Sequence, residues 1–293
     1  MMHYSIWVLE YARVEQHPLS ATLYGSHNAG TCCLPFSYVL LKGDGIVALV
    51  DVGHNHVDYK KEFAEQIGVT NWRSPTDVLA ECGVGPQDVT HVFITHAHFD
   101  HMGGLEFFPN ATFYIQEREL TSWVSTMALG RRFRSLMGGI DPSDIMRLVD
   151  LGRQGRLVAV DGFRENILPN IDVHPAFDTH TPGSQYVVVR NGGGDERTGD
   201  TWVLAGDLVY KHENLHGGDE KDPFYIPVGL ATGSQTRLIM TSDEMLRRVD
   251  GEVSRVIPVH EERLKDLFPS RPSKHGLQVI QLCLRQSDVS VVD

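Results

Sequence analysis

Thr95-His96-Ala97-His98-Phe99-Asp100-His101-Met102-Gly103-Gly104 packs three histidines and an aspartate into six consecutive positions. The residues His91–Thr95 in front of them read as a short buried strand, so four side chains able to hold a metal share one loop at a strand end. Imidazoles and a carboxylate crowded at that point would repel and desolvate one another unless a cation held them together. Borderline-soft Zn²⁺ accepts such nitrogen and oxygen donors readily. Gly103 and Gly104 let the chain turn sharply beside the cluster.

Outward from this loop the pattern is mixed. Ser37 to Lys42 and Ile46 to Val52 read as antiparallel strands joined by the Gly43-Asp44-Gly45 turn. Residues 57–67 and 75–83 carry apolar positions at helical spacing, the second opened by Ser74-Pro75. Thr112 to Ile115 is a further strand. Residues 116–155 turn helical around a Gly138-Gly139 break, with Met127, Leu129, Phe133, Leu136 and Met137 as apolar positions for the core or for the wall of a cleft. Strand pattern returns at 157–160, 171–174, 186–190 and 202–205, the last two joined by a glycine-rich surface hairpin, Asn191 to Asp200. A helix over about 242–249, capped by Thr241 or Ser242, precedes a strand from Val256 to Val259. Interleaved strands and helices over 1–293, without repeats or a low-complexity linker, predict a single α/β domain with two sheets between helical layers.

Composition narrows the function. The chain has 293 residues and 26 Lys+Arg against 38 Asp+Glu, a net charge of −12. No surplus of positive charge is available to displace counterions from a phosphate backbone, so neither nucleic acid nor an anionic membrane is an expected partner. A small-molecule substrate is. Cys32, Cys33, Cys82 and Cys283 are too few and too scattered for a disulfide scaffold. Glu10 and Arg13 interrupt the apolar run that a signal peptide would need, and the expectation is a cytoplasmic protein. A homodimer would be unsurprising. Histidine is the outlier at 15 residues. His54 and His56 form a further H-x-H without an acidic partner and read as loop residues that support a site rather than bind metal.

The string His96-x-His98-x-Asp100-His101 followed by two glycines resembles the metal-binding motif of the metallo-β-lactamase superfamily, over about residues 37–262. The resemblance implies an αββα sandwich, two mixed sheets between outer helices, with a dinuclear site at one edge. It also calls for a later histidine, an aspartate and a last histidine. His180 in Thr179-His180-Thr181-Pro182-Gly183-Ser184, Asp207 in Leu204-Ala205-Gly206-Asp207 and His260 in Ile257-Pro258-Val259-His260 stand where these are required. Carried over, His96, His98 and His180 would hold one divalent metal ion, Asp100, His101 and His260 the other, and Asp207 would bridge them. Zn²⁺ leads, with Fe, Mn or Co acceptable to the same donors.

Within the superfamily the chain looks most like the N-acyl-homoserine lactonases and related small-lactone hydrolases. The likeness rests on Phe99 inside the first motif, on the segment around His180 and on Tyr210, three residues after Asp207. It implies that a hydroxide bridging the metals opens a lactone, with Tyr210 donating to the substrate carbonyl oxygen, Asp100 shuttling a proton to the leaving oxygen and Phe99 walling the entrance. The stretch from Leu215 to Thr236 reads as a loop near Tyr210 able to shape a different pocket, which leaves open another cyclic ester or amide, a pyridoxolactone-type ring, or a thioester as in glyoxalase II. Nucleases, β-lactamases and diiron reductases fit less well, for want of basic charge, of a signal peptide and of a flavin domain. A noncatalytic metal-binding protein is the remaining alternative.

Overall fold

The computed structural model describes residues 3–191, 200–219 and 221–292. Two mixed sheets lie against each other. The larger runs Ser270–Pro272, Gln278–Cys283, Ser5–Pro18, Thr31–Gly43, Ile46–Val50, His91–Phe93, Thr112–Gln116 and Leu157–Val160, with Val69–Thr70 paired to Ser5–Pro18 off this path. The smaller runs Val256–Ile257, Thr201–Leu204, Gln185–Arg190, Ile171–Pro175 and Arg164–Leu168. Successive side chains of a strand point to opposite faces, and here both faces are apolar. Val39, Leu41, Ala48, Val50 and Phe93 meet Ile171, Val173, Val187, Val189 and Leu204 between the sheets. Their neighbours Leu40, Leu49 and Val92 pack with Ala64 and Leu79 of the outer helices, and Val188 packs with Leu238 and Met245. This is the expected sandwich, and it accounts for strands that read as nearly continuous apolar runs.

Several expectations are corrected. The helix placed at 242–249 spans Gln235–Arg248 and is capped not by Thr241 or Ser242 but by Ser234, whose hydroxyl accepts from the Arg237 N–H at 3.3 Å. Its first half escaped notice because Met240, 60% exposed, sits on the solvent side where an apolar position is not expected. The strand begun at Val256 ends at Ile257. Ser5–Pro18 is a 14-residue strand, although its charges argued only against a signal peptide. Glu10 and Arg13 answer each other there through paired hydrogen bonds of 2.7 and 2.8 Å. The segment 116–155 forms Glu117–Met127, a 3₁₀ turn Arg131–Met137 and Pro142–Arg153. Leu129, Phe133 and Leu136 are exposed rather than core. Of the 191–200 hairpin, residues 192–199 lie outside the described residues; the strands it joins pair antiparallel. Among the described residues, no helix is long and apolar enough to cross a membrane.

Candidate metal centre

Chain direction sets the position of the site. The loops after Ile46–Val50, His91–Phe93, Ile171–Pro175, Thr201–Leu204 and Val256–Ile257 all emerge at one edge of the sandwich and deliver Asp51, His96, His180, Asp207 and His260. His98 caps the short helix Phe99–Met102, which carries Asp100 and His101. The sheets are tied together beside these loops, where Gln185 N donates to the Thr95 carbonyl at 2.9 Å and Gln185 Nε2 to that of Ile94 at 2.7 Å.

The seven predicted ligands converge as two groups, His96, His98, His180 and Asp207 in one and Asp100, His101 and His260 in the other, with the donor atoms of each group within 4.8 Å of one another. The two Asp207 oxygens divide between them. Oδ2 lies 3.3 Å from His180 Nε2 and 3.7 Å from His96 Nε2, and Oδ1 lies 3.0 Å from His101 Nε2 and 3.1 Å from His260 Nε2. His98 Nδ1 stands 2.9 Å from both His96 Nε2 and His180 Nε2. Asp100 Oδ2 faces His101 Nε2 at 3.5 Å and His260 Nε2 at 3.6 Å.

The outer nitrogens fix the tautomers. His101 Nδ1 lies 2.8 Å from Asp51 Oδ2, His180 Nδ1 2.7 Å from the Leu230 carbonyl and His260 Nδ1 2.6 Å from the Pro35 carbonyl. His96 Nδ1 lies 3.0 Å from Thr95 Oγ1, whose own proton goes to Asp51 at 2.9 Å. Each Nδ1 therefore donates, and in the neutral ring each Nε2 turns a lone pair inward, the arrangement that orients imidazoles on metals. His101 Nε2 and Asp207 Oδ1 are buried without a hydrogen-bond partner despite their 3.0 Å separation, because their geometry is not that of a hydrogen bond. Lone pairs facing carboxylate oxygens in a dry site suit divalent cations, so the donor set fits the implied metals.

Electrostatics agree with that fit. Burial pushes the His101 pKa down, yet Asp207, Asp100 and Asp51 hold it well above the ordinary value. Burial also raises the pKa of Asp207, but His101 and His260 keep it well below the carboxylate range. His96, buried among His101 and His98, is pushed well below its usual value. The carboxylates thus favour positive charge in the space between them and the rings, the charge a bound cation would supply.

Tyr210 belongs to the site: its hydroxyl donates to Asp207 Oδ2 at 2.6 Å and its ring stacks on His260 at 5.0 Å. Phe99 is 3% exposed and packs on His54, Phe63 and Phe36, so it forms the inner wall of the cavity rather than its entrance. The cavity holds about 390 Å³, and Ser135, Gly138 and Gly139 supply the only wall that 116–155 contributes among the described residues. From the 215–236 loop, Leu230, Ala231 and Thr232 line it. That loop is held by the amino-terminal turn, with Leu230 N donating to the Ala21 carbonyl at 2.9 Å and Tyr24 N to that of Pro227 at 2.9 Å. A larger hollow of about 610 Å³, bordered by His212, Phe224 and Arg263, contains none of the predicted ligands.

His54 and His56 stand outside both ligand groups. His54 Nδ1 meets the Tyr11 hydroxyl at 3.2 Å, which itself donates to the Asp100 carbonyl at 2.8 Å, so His54 supports the loop as expected. Two supporting carboxylates escaped the sequence reading. Asp51 receives Thr95 N at 2.8 Å as well as His101; an acidic residue closing the apolar run Ile46–Val50 was its available signal. Glu119 has no such signal in a charge-rich helix. It takes Ala97 N at 2.9 Å and Trp123 Nε1 at 2.8 Å on one oxygen, and Thr181 Oγ1 at 2.9 Å and Gly183 N at 2.7 Å on the other, and so binds the His96–His98 loop to the His180 loop.

Comparison with known proteins follows the same line. Two probable metallo-hydrolases, of Mycobacterium bovis and Mycobacterium tuberculosis, are each 26% identical over 194 residues, 65% of this chain and 56% of theirs. The chain thus spans about half the length of the curated relatives it matches. Among solved structures, a quorum-quenching N-acyl homoserine lactone lactonase superposes with a TM-score of 0.65 at 17% identity, over 91% of this chain and 96% of that one. A probable metal-dependent hydrolase from Staphylococcus aureus gives 0.64 at 18%, over 98% of both chains. A dizinc quorum-quenching lactonase in complex with a product gives 0.64 at 16%, over 97% and 96%. At these identities the structural likeness speaks for the fold. The profile of the metallo-beta-lactamase superfamily matches residues 30–260, from the start of the strand Thr31–Gly43 to the last predicted ligand, and the chain belongs to that superfamily.

Proposed function

We propose that this protein is a dinuclear metal-dependent hydrolase that opens a small lactone, an N-acyl-homoserine lactone or a similar cyclic ester. The observation that carries the reading is the division of Asp207, one oxygen toward His96 and His180 and the other toward His101 and His260, as a ligand shared by two cations requires. Two divalent ions, Zn²⁺ first among them, would supply water acidified toward neutral pH and polarisation of the substrate carbonyl. The chain's own residues do the rest. His96, His98 and His180 would bind one ion and Asp100, His101 and His260 the other, each held by the outer hydrogen bonds described above. Phe36, Phe63 and Phe99 exclude water from one side of the cavity. The Tyr210 hydroxyl, which donates to Asp207 Oδ2, stands beside the residues that would hold the ions and would turn its proton to the substrate carbonyl oxygen where negative charge develops. Asp100, at the second group and lining the cavity, would accept the proton released by the attacking water and hand it to the leaving ring oxygen as the ester bond breaks. An alcohol leaving group needs only this much help.

The test is a metal count on the purified protein followed by a proton-release assay on acyl-homoserine lactones of graded chain length, aromatic lactones, a thioester and a β-lactam. Two metals per chain, turnover of lactones above the other classes and loss of one metal in Asp207→Ala are the expected results. A fully loaded protein that hydrolyses no ester refutes the enzymatic reading. Preference for the thioester refutes the lactone.

A further inference from the structure

The hollow of about 610 Å³ bordered by His212, Phe224 and Arg263 is larger than the cavity of the metal centre and has no part in the chemistry proposed above. Its walls are fixed before anything enters. Phe224 lies against the bare backbone of Gly217, where φ is +65° and a Cβ would collide with the ring. The Tyr225 hydroxyl donates to Asp243 Oδ1 at 3.0 Å, and Ile226 N donates to the Asn214 carbonyl at 3.0 Å. Leu215, Leu246 and Val253 add apolar surface.

One polar atom in this wall is unmatched. His212 is 5% exposed, and its Nε2 donates to the Val256 carbonyl at 3.1 Å. Burial lowers the pKa of this ring, so it is uncharged near neutral pH, and with the proton on Nε2 the Nδ1 keeps a lone pair. Among the described residues nothing donates to that lone pair. Unlike the orphaned ring nitrogens of His54 and His174, this atom keeps accessible surface, and His212 borders the hollow. The ionic groups of the wall answer one another instead. Arg263 donates to both Glu261 oxygens, at 3.0 and 2.7 Å, and to Glu213, while Glu252 takes the Ser254 hydroxyl at 2.8 Å. With three carboxylates beside one guanidinium, the wall offers no spare positive charge to an anion.

We propose that this hollow binds a small neutral aromatic molecule carrying a hydroxyl, a phenol in type, with its ring against Phe224 and Tyr225 and its hydroxyl donating to His212 Nδ1. No step of hydrolysis is asked of the site, so it stands whether or not the hydrolase reading does.

The probes are 4-propylphenol, 4-propylanisole, in which methylation removes the donor but keeps the ring and its oxygen, and 4-propylbenzoate, which brings a negative charge. In calorimetric titration of the metal-loaded full chain the phenol binds about 3- to 10-fold tighter than the anisole, as one hydrogen bond of ordinary strength provides, and the benzoate binds weakest. In His212→Phe the preference for the phenol is lost. Ser254→Trp fills the hollow from its rim and abolishes phenol binding, which keeps the proposal open to refutation should the His212 variant fail to fold. Equal affinity for phenol and anisole overturns the proposal, as does a benzoate that binds best. So does phenol binding that survives Ser254→Trp, because the probe then sits elsewhere, and so does the absence of binding by every probe at millimolar concentration.

Discussion

Glu119→Gln tests how far the metal centre depends on a residue that touches no ligand atom. The carboxylate accepts four hydrogen bonds of 2.7 to 2.9 Å from Ala97, Trp123, Thr181 and Gly183, all in the protein interior. A glutamine keeps one oxygen and turns an NH₂ group toward two of those donors, which then have no acceptor. Each buried unsatisfied donor costs about 1–3 kcal/mol, so the variant should lose about 2–6 kcal/mol of stability. The damage has a direction as well as a size. Ala97 lies between His96 and His98, and Thr181 follows His180, so the cation of that group should leave first when chelator is added, with affinity down roughly 10- to 100-fold. Urea unfolding gives the first quantity and a chelator titration with metal analysis the second. An unchanged urea midpoint together with two metals released in parallel would refute the reasoning.

The other predictions concern pH, packing and the cavity. His174 is buried against Tyr186 and Phe163, and burial followed by Arg248 and Arg190 lowers its pKa from 6.5 to about 3. The unfolded chain then takes up the proton first, so its contribution is complete above pH 6.5 and declines by up to about 1.4 kcal/mol per unit as pH falls toward 3. His174→Phe should flatten urea midpoints over that range, and an identical pH slope in the variant would count against the argument. In Gly183→Ala the new Cβ would stand 2.2 Å from the Glu119 backbone nitrogen, so a loss of about 3 kcal/mol and the same preferential release of one cation are expected in the chelator titration. Phe99→Ala should raise KM for long-chain substrates more than it lowers kcat, while thermal unfolding registers a packing loss of about 3–5 kcal/mol; an unchanged KM removes Phe99 from the substrate wall.

The ligands were legible because metal chemistry demands particular residue types at strand ends, and strand ends are marked by apolar runs that stop. His96, Asp207 and His260 each follow such a run. What escaped was set by partners distant in the chain. Asp51, Glu119 and the Leu230 and Pro35 carbonyls matter through what they touch across the fold, and backbone carbonyls leave no trace in residue type. The strand Ser5–Pro18 was obscured by Glu10 and Arg13, charges that neutralise each other within it. The bulge between Val14 and His17 in that strand is likewise invisible until the partner strand is known.

The turn around Ala21 that braces the 215–236 loop bears on how the site is held together. Ala21 holds Leu230, Leu230 aims His180, and the final imidazole is contributed by His260, so the pieces that complete the centre are drawn from segments far apart in the sequence. The first histidine loop alone supplies four of the seven predicted ligands, and the rest arrive only when distant segments pack against it. A cation bound there would therefore join the two sheets and the amino-terminal turn at one point, and its removal should loosen all three together.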